Sequence, residues 1–147
     1  MTLSVVLDTS VVIKWFRQEE VLASQALALR EAYLDGRVRV CVPTLLLYEV
    51  ANLLIYKGEL RTEEVQQALQ SLFDLGLEFV PPTSPILQRA VEIARTYDST
   101  AYDAVFVALA EALAASFVTA DGRLARDLAG LSFVRFLGSP IELPGPQ

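Results

Sequence analysis

Four carboxylates stand where a carboxylate is costly. Asp8 ends the short apolar run Leu3 to Leu7, with Thr9 and Ser10 directly behind it. Glu49 lies in a stretch whose helical neighbours three and four residues away are Leu45, Leu46, Asn52 and Leu53. An unpartnered charge in such surroundings is unfavourable. Asp103 interrupts the apolar run that opens at Thr100, and Asp121 follows Phe117-Val118-Thr119. Each residue has a structural reading of its own. Asp8 and Asp121 suit helix N-caps, Asp103 suits a capping-box partner of Thr100, and Glu49 suits a narrow solvated stripe. Brought together, they would repel one another and hold on to protons, and a divalent cation would remove that repulsion. Ligation by oxygen alone points to Mg²⁺ or Mn²⁺. Thr9, Ser10 and Thr119 are placed to orient the ligands or their water.

Composition narrows the chemistry. The chain has 147 residues and no histidine. That absence removes the Ser-His-Asp triad, histidine acid–base pairs and histidine zinc sites. Hydrolysis here has to run on carboxylates, hydroxyls, Lys, Arg or bound metal. The net charge of −6 disfavours holding nucleic acid by bulk charge and suits a chain that collects cations. The single cysteine, Cys41, cannot form an internal disulfide, which leads us to expect a reducing compartment. No basic segment precedes the first apolar run, and no apolar run approaches the roughly 18 residues of a membrane span. The expectation is a cytoplasmic protein with no membrane association.

The elements that must position the acids follow from periodicity. Leu3 to Leu7 is valine-rich and reads as a buried strand, with Thr9 to Phe16 opening a helix. Glu20 to Leu34 has helical spacing and ends at Asp35-Gly36. Val38 to Val42 reads as a second strand, and Pro43 then opens a helix that runs about to Lys57, with Gly58 as its stop. Thr62 caps the next helix, to about Leu75, with Glu63 and Glu64 in the first turn. Leu77 to Val80 is a third strand. Thr83 or Ser84 caps a helix through Tyr97. Ala101 to about Ala115 is a very apolar helix, Ser116 to Thr119 a fourth strand, Gly122 to Ala129 a short helix and Phe133 to Leu137 a fifth strand. A proline-bearing tail, about 140–147, is expected to wrap or fray.

Such alternation implies one α/β domain over residues 1–147. It is a three-layer α/β/α sandwich with a mostly parallel five-stranded sheet. Asp8 and Asp121 then end parallel strands on the edge where open α/β sheets bind ligands.

The segments Val-Val-Leu-Asp8-Thr-Ser10, Tyr-Glu49-Val-Ala-Asn, Tyr-Asp103-Ala-Val-Phe-Val-Ala-Leu-Ala and Val-Thr119-Ala-Asp121-Gly-Arg-Leu resemble the four acidic motifs of PIN-domain nucleases. Among those, they are most similar to the VapC toxins of toxin–antitoxin pairs. The resemblance covers nearly the whole chain in order. It implies a PIN-like fold and a Mg²⁺- or Mn²⁺-dependent ribonuclease, usually a homodimer, held inactive by a cognate antitoxin protein. Asp8, Glu49, Asp103 and Asp121 match the acidic quartet, Ser10 the hydroxyl after the first Asp, and Thr119 the one before the last. A metal held by Asp8, Asp103 and Asp121 would acidify a water, and Glu49 would ligate through water or assist deprotonation. Lys14, Arg17, Lys57 and Arg123 are candidate phosphate contacts, with solvated surface charge as the alternative for each. Asp98 is an extra acid without a counterpart.

Three rivals stand beside this reading. A haloacid-dehalogenase-type phosphatase also starts from a strand-end Asp but needs a second acid where Ser10 stands. A phospho-receiver domain needs a lysine after a later strand, near Thr119, and none is there. A catalytically degenerate PIN-like binding module would keep the fold without the reaction.

Overall fold

The computed structural model describes residues 2–56 and 58–145. Five strands form one sheet in the order β3-β2-β1-β4-β5: β1 Leu3–Leu7, β2 Val38–Pro43, β3 Glu78–Val80, β4 Ser116–Thr119 and β5 Val134–Phe136. Every pairing is parallel, with Val5 beside Val40, Leu7 beside Val118 and Thr119 beside Phe136. Between them lie α1 Thr9–Val12 with a 3-10 turn Ile13–Trp15, α2 Ala23–Leu34, α3 Leu45–Tyr56, α4 Thr62–Asp74, α5 Ser84–Tyr97, α6 Ala101–Ala112 and α7 Gly122–Asp127.

The chain travels outward from β1 to β2 and β3, then returns to β4 on the other side of β1 and continues to β5. Right-handed crossovers therefore put α2, α3 and α4 on one face and α5, α6 and α7 on the other. The three-layer sandwich follows. α6 packs on β1, β2 and β4, and α2 on β2. Their facing sides carry the core, including Phe106, Leu109, Phe117, Leu29 and Leu7. The central strands are buried on both faces, so their sequences run apolar without alternation. Because travel reverses at the β1–β4 pair, a crevice opens at the carboxyl ends of those two strands.

Several expected boundaries shift. Glu20 to Leu22 is not helix: Leu22 has φ 67° and α2 starts at Ala23. Val21 is correspondingly exposed and does not contribute to the helix's apolar face. Pro43 does not open α3 but closes β2 beside Val80. A proline fits there because the following Thr44 N–H bonds to the Val80 carbonyl. Arg61, not Thr62, is the N-cap of α4, with Glu64 accepting from its backbone N–H. α6 ends at Ala112 and Ala114 turns left-handed to start β4. Gly36, at φ 76°, closes α2 as expected. Among the described residues no helix is long and apolar enough to cross a membrane.

Candidate functional site

β1 delivers Asp8 to the crevice. Its backbone N–H donates to the Val118 carbonyl, 2.9 Å, and fixes the end of β1 against β4. Asp8 begins α1 yet makes no side-chain cap. Its carboxylate instead accepts from Ser10 Oγ at 2.7 Å and Thr119 Oγ1 at 2.8 Å, both on Oδ2. The N-cap reading of Asp8 is thereby corrected: the side chain is 6% exposed and turned to hydroxyls across the sheet. Thr119 is fully buried, and its hydroxyl also accepts from the Asp121 N–H. Ser10 Oγ accepts from the Ala120 N–H. Two hydroxyls thus tie the end of β1 to the loop after β4.

Glu49 projects from α3 and accepts from Thr9 Oγ1 at 2.6 Å. Asp103 stands in the first turn of α6, where the Thr100 hydroxyl accepts its backbone N–H. Asp121 does cap α7, taking the N–H groups of Arg123 and Leu124 on Oδ1. Asp8, Glu49, Asp103 and Asp121 all line one cavity of about 390 Å³, together with Thr9, Ser10 and Lys14.

Burial dominates the electrostatics. It pushes Asp8 from the usual carboxylate range up to about 6, against the two hydroxyls, with Asp103 and Glu49 adding smaller repulsion. Burial likewise raises Glu49, opposed by Thr9 and helped by the Asp103 charge. Asp103 is raised by burial first and by the Asp121 charge second. The repulsion expected between the acids is present but secondary to desolvation.

The other candidates divide. Lys14 is on the cavity wall; its Nζ is 3.0 Å from Glu20 Oε1. Arg17 pairs with Glu19 and Glu20 and does not line the cavity. Arg123 is 86% exposed, lies 3.9 Å from Asp127 and does not line the cavity. Lys57 lies outside the described residues. Asp98 belongs elsewhere: at φ 54° it closes α5 and borders a separate hollow with Arg95 and Ser99. Glu20 and Asn52 are on the cavity wall and were not singled out from the sequence. Asn52 had a signal, three residues beyond Glu49 on the same helix face. Glu20 had none, because a fold of the chain brings it in.

The donor set is all oxygen, which suits a hard divalent cation. A buried Asp8 with raised proton affinity is an anion whose charge is not offset in place. Among the described residues no three acids stand close enough together to grip one ion. Asp121 spends one oxygen on its cap and Glu49 one on Thr9. The phosphatase rival loses its footing, since the residue two beyond Asp8 is a hydroxyl donating to it.

Comparison with known proteins agrees with this geometry. No curated protein sequence matches. Among solved structures, a toxin–antitoxin complex from Klebsiella pneumoniae superposes with a TM-score of 0.66 at 20% identity, covering 90% of this chain and 97% of that one. VapBC2 from Rickettsia felis, bound to a promoter DNA fragment, gives 0.67 at 16%, covering 91% and 98%. VapC20 from Mycobacterium tuberculosis, a Sarcin-Ricin loop cleaving toxin, gives 0.67 at 17%, covering 89% and 98%. At such identities the likeness is one of fold. The PIN domain family model, in contrast, matches the sequence itself over residues 5–129. That span holds all four acids, the end of β1 and the whole of β2, β3 and β4, and the chain belongs to the PIN domain family.

Proposed function

We propose that the chain is a metal-dependent endoribonuclease and the toxin of a VapBC-type toxin–antitoxin pair. One observation carries the reading. Four acids from four separate segments line a single cavity at the switch point of the sheet, with Asp8 buried among them. The similar structures support the partners: two are toxin–antitoxin assemblies, and the third is a toxin that cleaves the Sarcin-Ricin loop. A protein antitoxin would cover the acidic cavity. The exposed apolar side chains Tyr48, Leu87 and Tyr102, around an apolar groove of about 330 Å³, support a homodimer.

Asp8 would hold Mg²⁺ or Mn²⁺ directly and Asp103 and Asp121 through bound water, since among the described residues no three acids stand close enough to grip one ion. When bound, the ion supplies Lewis acidity toward the phosphate and lowers the pKa of a water. The remaining work falls to this chain's residues. Ser10 and Thr119 fix the Asp8 carboxylate by occupying Oδ2, which leaves Oδ1 for a ligand. Thr9 holds Glu49, whose raised proton affinity suits it to take a proton from the attacking water. The water's oxygen forms the new bond to phosphorus, the P–O3′ bond breaks, and the 3′ oxygen takes a proton from solvent and leaves as a hydroxyl. No histidine stands ready to activate the RNA 2′-hydroxyl, and in-line attack by water leaves that hydroxyl out of the bond-making.

The products are therefore a 5′-phosphate and a 3′-hydroxyl. Purified protein free of antitoxin, incubated with end-labelled structured RNA and Mn²⁺, should yield these ends and stop in EDTA. Asp8→Asn and Asp103→Asn should each slow cleavage at least about a hundredfold, as removing a charge-stabilising group typically does. Glu49→Gln should lose activity and keep its fold. A 2′,3′-cyclic phosphate, or cleavage in chelator, would refute the mechanism. A binding-only PIN domain is the second reading. It is favoured by the net charge of −6 and by the spread of the carboxylates. Absence of cleavage under every metal condition by antitoxin-free protein that still binds the antitoxin when it is added back would establish it.

A further inference from the structure

Lys14 is the one cation on the wall of the acidic cavity among the described residues, and its placement is unusually constrained. It sits in the 3-10 turn between Ile13 and Trp15, both buried. The Trp15 indole N–H donates to the Ala26 carbonyl at 2.9 Å, pinning that turn to α2. The Lys14 side chain is only 11% exposed. Burying an ammonium is unfavourable unless it is paired, and here the partner is not one of the four motif acids. It is Glu20, at 3.0 Å.

Glu20 is in turn held from two sides. Lys14 takes Oε1, and Arg17 approaches Oε2 at 3.2 Å. The chain bends to allow this: the Glu20 N–H bonds to the Arg17 carbonyl and Leu22 adopts a left-handed conformation before α2 begins. The bend that defeats helical periodicity over Glu20 to Leu22 is the one that puts Glu20 on the cavity wall. An ammonium has three N–H donors, and Glu20 takes one.

We infer that Lys14 is a phosphate-binding catalytic residue and that Glu20 is a positioning residue. Glu20 holds the ammonium at the cavity rim so that it meets the RNA phosphate instead of collapsing onto the acids. An alternative pairing exists, because Lys14 and the four motif acids line the same cavity. Released from Glu20, a lysine facing four carboxylates would neutralise the ones that must receive a cation. Glu20 prevents this by competing for the ammonium. The two donors that Glu20 leaves free are available to a nonbridging phosphate oxygen. In a chain of net charge −6, one fixed cation at the reacting phosphate does what bulk charge cannot.

This inference rests on the nuclease reading, and the experiment separates the two. Wild type, Lys14→Met, Glu20→Gln and the double variant are compared in three assays. The first is cleavage of a single-stranded oligonucleotide in Mn²⁺. Lys14→Met should lower kcat/KM about a hundredfold with most of the loss in kcat. The second is binding of the same oligonucleotide in EDTA. Lys14→Met should reduce the slope of log Kd against log salt by about 0.7, the value for one phosphate contact on a single strand. The third is the Mn²⁺ concentration that half-saturates the thermal shift. Glu20→Gln should raise it about three- to fivefold, for loss of one competing charge partner, and the double variant should restore it. A purely structural role for Glu20 would not be reversed by removing Lys14. Cleavage by Lys14→Met at the wild-type rate, or an unchanged salt slope, would overturn the role of Lys14. Unchanged Mn²⁺ affinity in Glu20→Gln, or no rescue in the double variant, would overturn that of Glu20. If wild type fails to cleave, the nuclease reading falls and with it the catalytic role of Lys14. The Mn²⁺ arm then still decides whether Glu20 keeps Lys14 off the acids.

Discussion

Replacing Asp8 with Asn should make the metal-free protein more stable, and the gain should depend on pH in a defined way. In the folded chain burial pushes the Asp8 carboxyl from its ordinary 3.8 up to about 6. The unfolded chain therefore releases this proton first. As pH rises from about 4 to 6, the folded state binds more protons than the unfolded state, so stability falls through that window and levels off above it. Two units correspond to about 3 kcal/mol. Asparagine carries no charge and escapes this loss. Its amide oxygen can still accept from Ser10 and Thr119, the two donors that reach Oδ2. The variant should therefore exceed wild type by about 2–3 kcal/mol at pH 7, or roughly 5–10 °C in Tm for a domain of this size. Near pH 4 most of the difference should vanish. Urea unfolding in EDTA at half-unit steps from pH 4 to 7.5 measures it. A difference that stays flat with pH, or an Asn variant less stable at pH 7, would show that Asp8 is not a buried, desolvated carboxylate.

Other expectations concern the same cavity and the surface. Mn²⁺ or Mg²⁺ at millimolar concentration should raise the Tm of wild type by mass action, and Asp8→Asn should lose most of the rise; an unchanged wild-type Tm would count against a metal site. Thr119→Val keeps the shape but removes a buried hydroxyl that serves both Asp8 and the Asp121 N–H. It should cost about 1–3 kcal/mol at pH 7 and extend the fall in stability with rising pH to higher pH, which the same urea series reads. Light scattering at micromolar concentration should give the mass of a dimer, and Tyr102→Asp, on the exposed apolar groove, should shift it toward monomer.

Much of the architecture was written in local pattern. Strands of valine and helices at 3.6-residue spacing alternate along the chain, and that alternation sufficed for a parallel sheet between helical layers. The acids were also legible, because each interrupts an apolar segment where a charge has no reason to be. Local pattern failed where a side chain was claimed from a distance. Glu20 continues a helical spacing, yet Lys14 and Arg17 draw it away, and Leu22 breaks the turn. Arg123 neighbours Asp121 in sequence but its side chain runs along α7 toward Asp127. Asp8 and Asp121 have the same sequence setting, a strand end before a helix, and only one of them caps. The difference arises from β4 lying beside β1. Thr119 and Asp8, 111 residues apart, meet in a hydrogen bond that no spacing rule could foresee. The sequence determined which residues carry the charge. The order of the strands decided which of them is buried, and desolvation by that burial sets the proton affinity of Asp8.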